Sequence, residues 1–157
     1  MIAVEEPSLD DVYAVVEEVW TTFLGSDEPI LPAFEPQPGP IEGWTAAVTV
    51  TGAWEAMVLV TLGDRLSRTM TGRMLGIADD ESSSEDLTDA LGELVNVIGG
   101  NVKSLMAGPS TLSLPLVAQG AISTTSHLEE ACRVDLTWSG DPLRVTVCVP
   151  RAEGEHR

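Results

Sequence analysis

Residues 89–106 read DALGELVNVIGGNVKSLM, and within them Glu93 and Asn96 stand three apart, so that on a helix their side chains project as a pair from adjacent turns. A carboxylate and a carboxamide so placed can ion-pair and hydrogen-bond. They are not the parts of a nucleophilic relay, and the chain has only His127 and His156 as histidines. Three glycines, Gly92, Gly99 and Gly100, interrupt the same stretch, although each lowers helix stability by roughly 1 kcal/mol relative to alanine. Placed at 100° steps around a helix axis, Leu87, Leu91, Leu94, Ile98, Val102 and Leu105 form one apolar stripe, which should pack on a sheet. Asp89, Gly92, Glu93, Asn96, Gly99, Gly100 and Lys103 lie opposite. The expectation is a flat outward floor with two polar groups raised above it. Such a floor admits a docked partner, close packing against another helix of the same chain, or contact with a second copy. A plain solvated face would favour Lys, Glu or Ala at the glycine positions.

The elements around this helix are legible from periodicity. Ser8 and Asp11 form an S-x-x-D cap ahead of Leu9, Val12, Val16, Val19, Trp20 and Phe23, which recur at helical spacing until Gly25. The following SDEPILPAFEPQPGP contains five prolines and must be an extended connection crossing an edge of the fold. WTAAVTVTG alternates, placing Trp44, Ala46, Val48 and Val50 on one face. WEAMVLVTLG is nearly continuously apolar, as suits an interior strand. Asp64 to Gly76 reads as a second helix with Leu66, Met70 and Met74 inward. ADDESSSED then supplies an N-cap and early negative charge for the glycine-bearing helix, which Gly108-Pro109 ends. TLSLPLV, CRVDLTW and LRVTVCV read as three strands, the last two joined through SGDP as a hairpin, and RAEGEHR reads as a frayed tail. The order implies an α/β (α+β) fold in one domain over residues 1–157, with an antiparallel or mixed sheet backed by helices.

Composition narrows the function. The chain carries 25 acidic against 8 basic residues, a formal net charge of −17. That balance repels phosphate backbones and anionic bilayers, so neither nucleic acid nor membrane is an expected partner. MIAVEEPSLDD has no basic or apolar leader segment, and no apolar run has membrane-spanning length, so a cytoplasmic location is expected. Cys132 and Cys148 are too far apart and too poor in neighbouring ligands for a metal motif; they read as buried thiols on strands, with no metal and no cofactor of the chain's own. Arg65, Arg68 and Arg73 cluster on the second helix and are expected to pair with acidic residues of the same chain.

The run D-x-x-x-E-x-x-N formed by Asp89, Glu93 and Asn96, followed by V-I-G-G, resembles the signature of the CheC, CheX and FliY chemotaxis phosphatases. The order of elements resembles a CheX-like domain over most of the chain. A single copy of the motif matches CheX-like members, whereas CheC-like members carry two. The resemblance implies hydrolysis of the aspartyl phosphate on a phosphorylated CheY-like response regulator, and a homodimer. By position, Glu93 would pair with the receiver's invariant lysine. Asn96 would enter the receiver's site and orient the attacking water, while the receiver supplies its own aspartate and holds Mg²⁺. Asp89, Gly92, Gly99, Gly100 and Lys103 would belong to the partner-binding face. Phosphoryl transfer suits this division, because it needs positioning more than covalent chemistry, and an amide that places water needs no pKa tuning. Two other readings stand beside it: a receiver-binding adaptor without fast hydrolysis, related to flagellar switch components, and a structural domain that dimerises through the glycine face.

Overall fold

Strand alternation from Trp44 to Val50 sends Trp44, Ala46, Val48 and Val50 to one side of the backbone, and all four are buried. In the computed structural model, which describes residues 6–24, 28–35, 39–124 and 126–151, they belong to β2 (Gly43–Gly52). The chain begins with α1 (Leu9–Leu24) and β1 (Leu31–Pro32). After β2 come β3 (Ala56–Gly63), α2 (Asp64–Leu75), a 3-10 turn (Asp79–Glu81) and α3 (Ser84–Ser104). β4 (Ser110–Leu112), β5 (Leu116–Gln119), β6 (Leu128–Trp138) and β7 (Asp141–Pro150) complete the order. The expected positions of Gly25 and of the tail beyond Arg151 lie outside the described residues.

The strands form a seven-stranded sheet in the order β1-β6-β7-β3-β2-β4, with β5 also paired to β2. Every pairing is antiparallel, which decides between the two sheet types that the sequence allowed. The near-continuous apolar run proves to be β3, between β2 and β7. The proline-rich connection adds an edge strand that the sequence did not show: Leu31 and Pro32 pair with Thr137 and Leu136 of β6. β6 and β7 are joined by a two-residue turn at Ser139 and Gly140, with φ of 53° and 82°. Positive φ at both central positions is the primed turn whose twist matches that of the strands, and glycine takes the second without strain.

All the helices lie on one face of the sheet. α1 contributes Val12, Val16, Val19 and Trp20, α2 contributes Leu66 and Met70, and α3 contributes Leu87, Leu91, Leu94, Val95, Ile98 and Val102 to a single core with β2, β3, β6 and β7. Trp20 meets Trp138 edge-on, ring centroids 5.9 Å apart, and the Trp138 indole N–H donates to the Glu28 carbonyl at 3.0 Å. Leu105, expected in the α3 stripe, instead caps the helix and is 42% exposed. The opposite sheet face has a small cluster of Ala47, Leu59 and Cys148 with Met57, Ile122 and Leu128 against it. Cys132 and Cys148 are both buried free thiols on neighbouring strands, as expected, and burial is the main cause pushing each above its ordinary pKa.

The segment TLSLPLV is not one strand. β4 pairs Leu112 with Val50, and β5 pairs Leu116 with Ala47. Between them the Ser113 N–H donates to the Thr49 carbonyl, and the Thr49 N–H donates to the Ser113 hydroxyl, each at 2.9 Å. Val48 alone therefore opposes Leu114 and Pro115, a two-against-one bulge. Proline suits the break because it has no N–H to give the ladder.

This edge is what the glycines meet. A Cβ on Gly99 would lie 2.5 Å from Val48 Cγ2, and one on Gly92 would lie 3.3 Å from Pro115 Cγ. A Cβ on Gly100 would lie 3.7 Å from Leu112 Cδ1, an ordinary contact. Gly92 and Gly99 are thus buried against their own sheet rather than forming an outward floor, and only Gly100 is part-exposed. Of the packings the sequence left open, the one realised is intramolecular, and its partner is the sheet edge instead of a helix. Overpacking at such a site costs about 1–3 kcal/mol, and Val48 is β-branched, with little rotamer freedom to yield. Gly99→Val should therefore lower the unfolding free energy by about 1–3 kcal/mol in urea titrations. Gly100→Ala should leave it unchanged or raise it by up to about 1 kcal/mol.

Candidate functional site

α3 is fixed at its start by a capping box. The Ser83 hydroxyl accepts from the Asp86 N–H at 3.1 Å, and the Asp86 carboxylate accepts from the Ser83 N–H at 3.0 Å. Glu85 and Asp86 in the first turn and Lys103 in the last match the polarity of the helix dipole. The apolar side of α3 spreads over more than half its circumference, because Gly92 and Gly99 turn a flank towards the sheet edge in addition to the leucine stripe facing the core.

What remains outside is narrow. Asp89, Glu93 and Asn96 are exposed along one line of the helix, with Gly100 part-exposed after them. Three other polar side chains of α3 are bonded to the helix itself: Thr88 donates to the Ser84 carbonyl, Asn101 to Val97 and Ser104 to Gly100. Among the described residues the side chains of Asp89, Glu93 and Asn96 enter no hydrogen bond or ion pair. Lys103, expected on the partner-binding face, is part-buried and in no ion pair among those residues. The structure thus brings Asp89, Glu93, Asn96 and Gly100 onto one face and takes Gly92 and Gly99 out of it.

The chemical capacity of this face is modest and specific. It presents a carboxylate and a carboxamide on adjacent turns, with Cβ atoms about 5–6 Å apart, on a helix whose opposite side is locked to the sheet. It can pair with a cation and hold a water or a polar group of a partner. Among the described residues no group of three or more His, Cys, Asp or Glu is placed to hold a metal ion, and no helix is long and apolar enough to cross a membrane. The α2 arginines are committed elsewhere. Arg65 forks onto Asp141 at 2.9–3.1 Å, which raises its already high pKa, Arg68 pairs with Asp64, and Arg73 lies 4.9 Å over the Trp138 ring.

A helix bearing one uncommitted Glu-x-x-Asn pair across an antiparallel sheet places the chain, in architecture, with chemotaxis proteins of known structure. CheX from Vibrio vulnificus superposes with a TM-score of 0.72 at 18% identity, covering 89% of this chain and 94% of that one. A chain of the CheX-CheY-BeF3-Mg²⁺ complex from Borrelia burgdorferi gives 0.73 at 16% identity, covering 94% and 100%. FliY from Thermotoga maritima gives 0.60 at 15% identity, covering 88% and 84%. Among curated proteins none matches the sequence. The family model described as chemotaxis phosphatase CheX matches residues 44–137, and the chain belongs to that family.

The sequence missed the neighbours of the site, Val48 and the Leu114–Pro115 bulge. Its one available signal was the proline inside an otherwise strand-like run. Because Glu93 and Asn96 are solvent-facing, Glu93→Ala and Asn96→Ala should each change the unfolding free energy by no more than about 0.5 kcal/mol. Ser83→Ala should cost about 1 kcal/mol through the lost cap, and thermal melts of the three variants compare them directly.

Proposed function

We propose that the chain hydrolyses the aspartyl phosphate of a CheY-type response regulator. The observation that carries the reading is the Glu93–Asn96 pair, exposed and uncommitted on a helix held rigid from behind, in a chain of the CheX family. The Borrelia burgdorferi neighbour, whose structure is a complex of CheX with CheY, supports the same kind of partner. In this reading Glu93 pairs with the receiver's invariant lysine and brings α3 across the receiver's active site. The Asn96 carboxamide then hydrogen-bonds a water in line with the phosphorus. The water oxygen bonds to phosphorus, the bond to the aspartate oxygen breaks, and inorganic phosphate leaves with the carboxylate restored.

Mg²⁺ belongs to the receiver in this scheme, and Asn96 supplies position rather than proton affinity. Asp89, beside Glu93 on the exposed line, widens the contact. The working form is a homodimer, acting in the cytoplasm with its receiver. Burial of Gly92 and Gly99 against the chain's own sheet argues against the dimerisation reading that used those residues as the contact.

The test is the decay of radiolabelled phosphate on a CheY-type receiver, with the wild-type chain and with Asn96→Ala and Glu93→Ala. The wild type should accelerate decay. Loss of one positioned hydrogen-bonding group lowers the rate by about 100- to 1000-fold, and Asn96→Ala should show a loss of that size. Unchanged decay with the wild-type chain bound to the receiver would establish the adaptor reading instead, and full activity in Asn96→Ala would remove the assigned mechanism.

A further inference from the structure

The β4–β5 bulge places a large apolar side chain beside the proposed catalytic helix. Chain order carries β4 and β5 back along α3: Leu112 faces Gly99 and Gly100, and Pro115 and Val117 face Gly92. Leu114 lies between these anchor points and so comes alongside the turn that bears Glu93 and Asn96. Asn96 itself sits only about 40–60° around the helix from the line of Gly92 and Gly99, on the shoulder nearest this strand. Leu114 is nevertheless 90% exposed.

Its backbone is well held. Ser113 is joined to Thr49 through two hydrogen bonds, its hydroxyl also donates to the Leu114 carbonyl at 3.0 Å, and Pro115 abuts Gly92. Leu116, 57% exposed, follows on the same edge. A leucine displayed on a braced bulge at a site's margin is a feature that bulges commonly provide by re-aiming a side chain.

We propose that Leu114 is an apolar docking anchor for the receiver, setting the affinity of the reaction whose chemistry depends on Asn96. The inference rests on the phosphatase reading above. It follows from place: Leu114 is braced beside the turn that bears Glu93 and Asn96, so a receiver seated on that pair covers it. Covering a leucine that is exposed in the free chain removes apolar surface from water, which favours association.

The experiment compares steady-state dephosphorylation of a CheY-type receiver by the wild type, Leu114→Ala, Leu114→Asp and Asn96→Ala, with sedimentation of each chain alone. Leu114→Asp should raise KM by about tenfold or more, and Leu114→Ala by less. Both should keep kcat within about twofold, because neither touches the water-placing amide, whereas Asn96→Ala should lower kcat with KM nearly unchanged. An active wild type with KM unmoved in both Leu114 variants overturns the anchor and leaves the phosphatase reading intact. A change of oligomeric state in Leu114→Asp also overturns it, since a second copy would then be the occupant. If the wild type proves inactive, the phosphatase reading fails, and binding of a fluorescently labelled phosphorylated receiver decides the anchor separately. Weaker binding by Leu114→Asp supports it, and equal binding or none by the wild type overturns it.

Discussion

The close approach of α3 to the sheet edge, with Gly99 against Val48 and Gly92 against Pro115, is the contact on which the site depends. Glycine lets the helix sink until its flank meets strand side chains, and this seat fixes the rotation of the helix about its axis. A helix held only by its leucine stripe could roll by tens of degrees at modest cost. Contacts on both the stripe and the flank leave little freedom to roll, so the line of Asp89, Glu93 and Asn96 has a defined direction. For a protein whose contribution to chemistry is the placement of one amide, orientational restraint is the main thing a fold can supply.

The division of labour across the molecule follows from that restraint. One sheet face and three helices make the core, in which Trp20 and Trp138 pack edge-on. The arginines of α2 bind within the chain and hold α2 to the β6–β7 turn through Arg65 and Asp141. The core is thus held by the buried sides of all three helices, while Asp89, Glu93 and Asn96 on the exposed side of α3 are spared structural duties.

Much of this was legible in the sequence, and the failures have physical causes. Periodicity identified the helices and β2, because each buries a regular face, and the unbroken apolar run identified β3, which is covered on both faces. Glu93 and Asn96 were found because their outward spacing survives any rotation of the helix by a few tens of degrees. The burial of Gly92 and Gly99 was not legible, since a helical wheel separates residues into faces but cannot say how much of the circumference the rest of the fold covers. Here the bulged edge rises around the flank and claims a sector that composition alone makes look like solvent. The same bulge explains why TLSLPLV read as one strand: the inserted residue breaks the register without breaking the apolar character. β1 was hidden among prolines, where pairing of only Leu31 and Pro32 leaves no period to detect.

The prolines of the two outermost positions have a further effect on the molecule's behaviour in concentrated solution. An open sheet exposes rows of unpaired backbone groups at its margins, and such rows template strand addition and aggregation. At one margin β1 is two residues long and ends in Pro32; at the other β4 and β5 are three and four residues long, separated by Leu114 and Pro115. Neither border offers a continuous flat template. Together with the mutual repulsion of chains bearing a formal charge of −17, these interrupted margins favour colloidal persistence over fibre growth for a sheet whose interior strands run to ten and eleven residues.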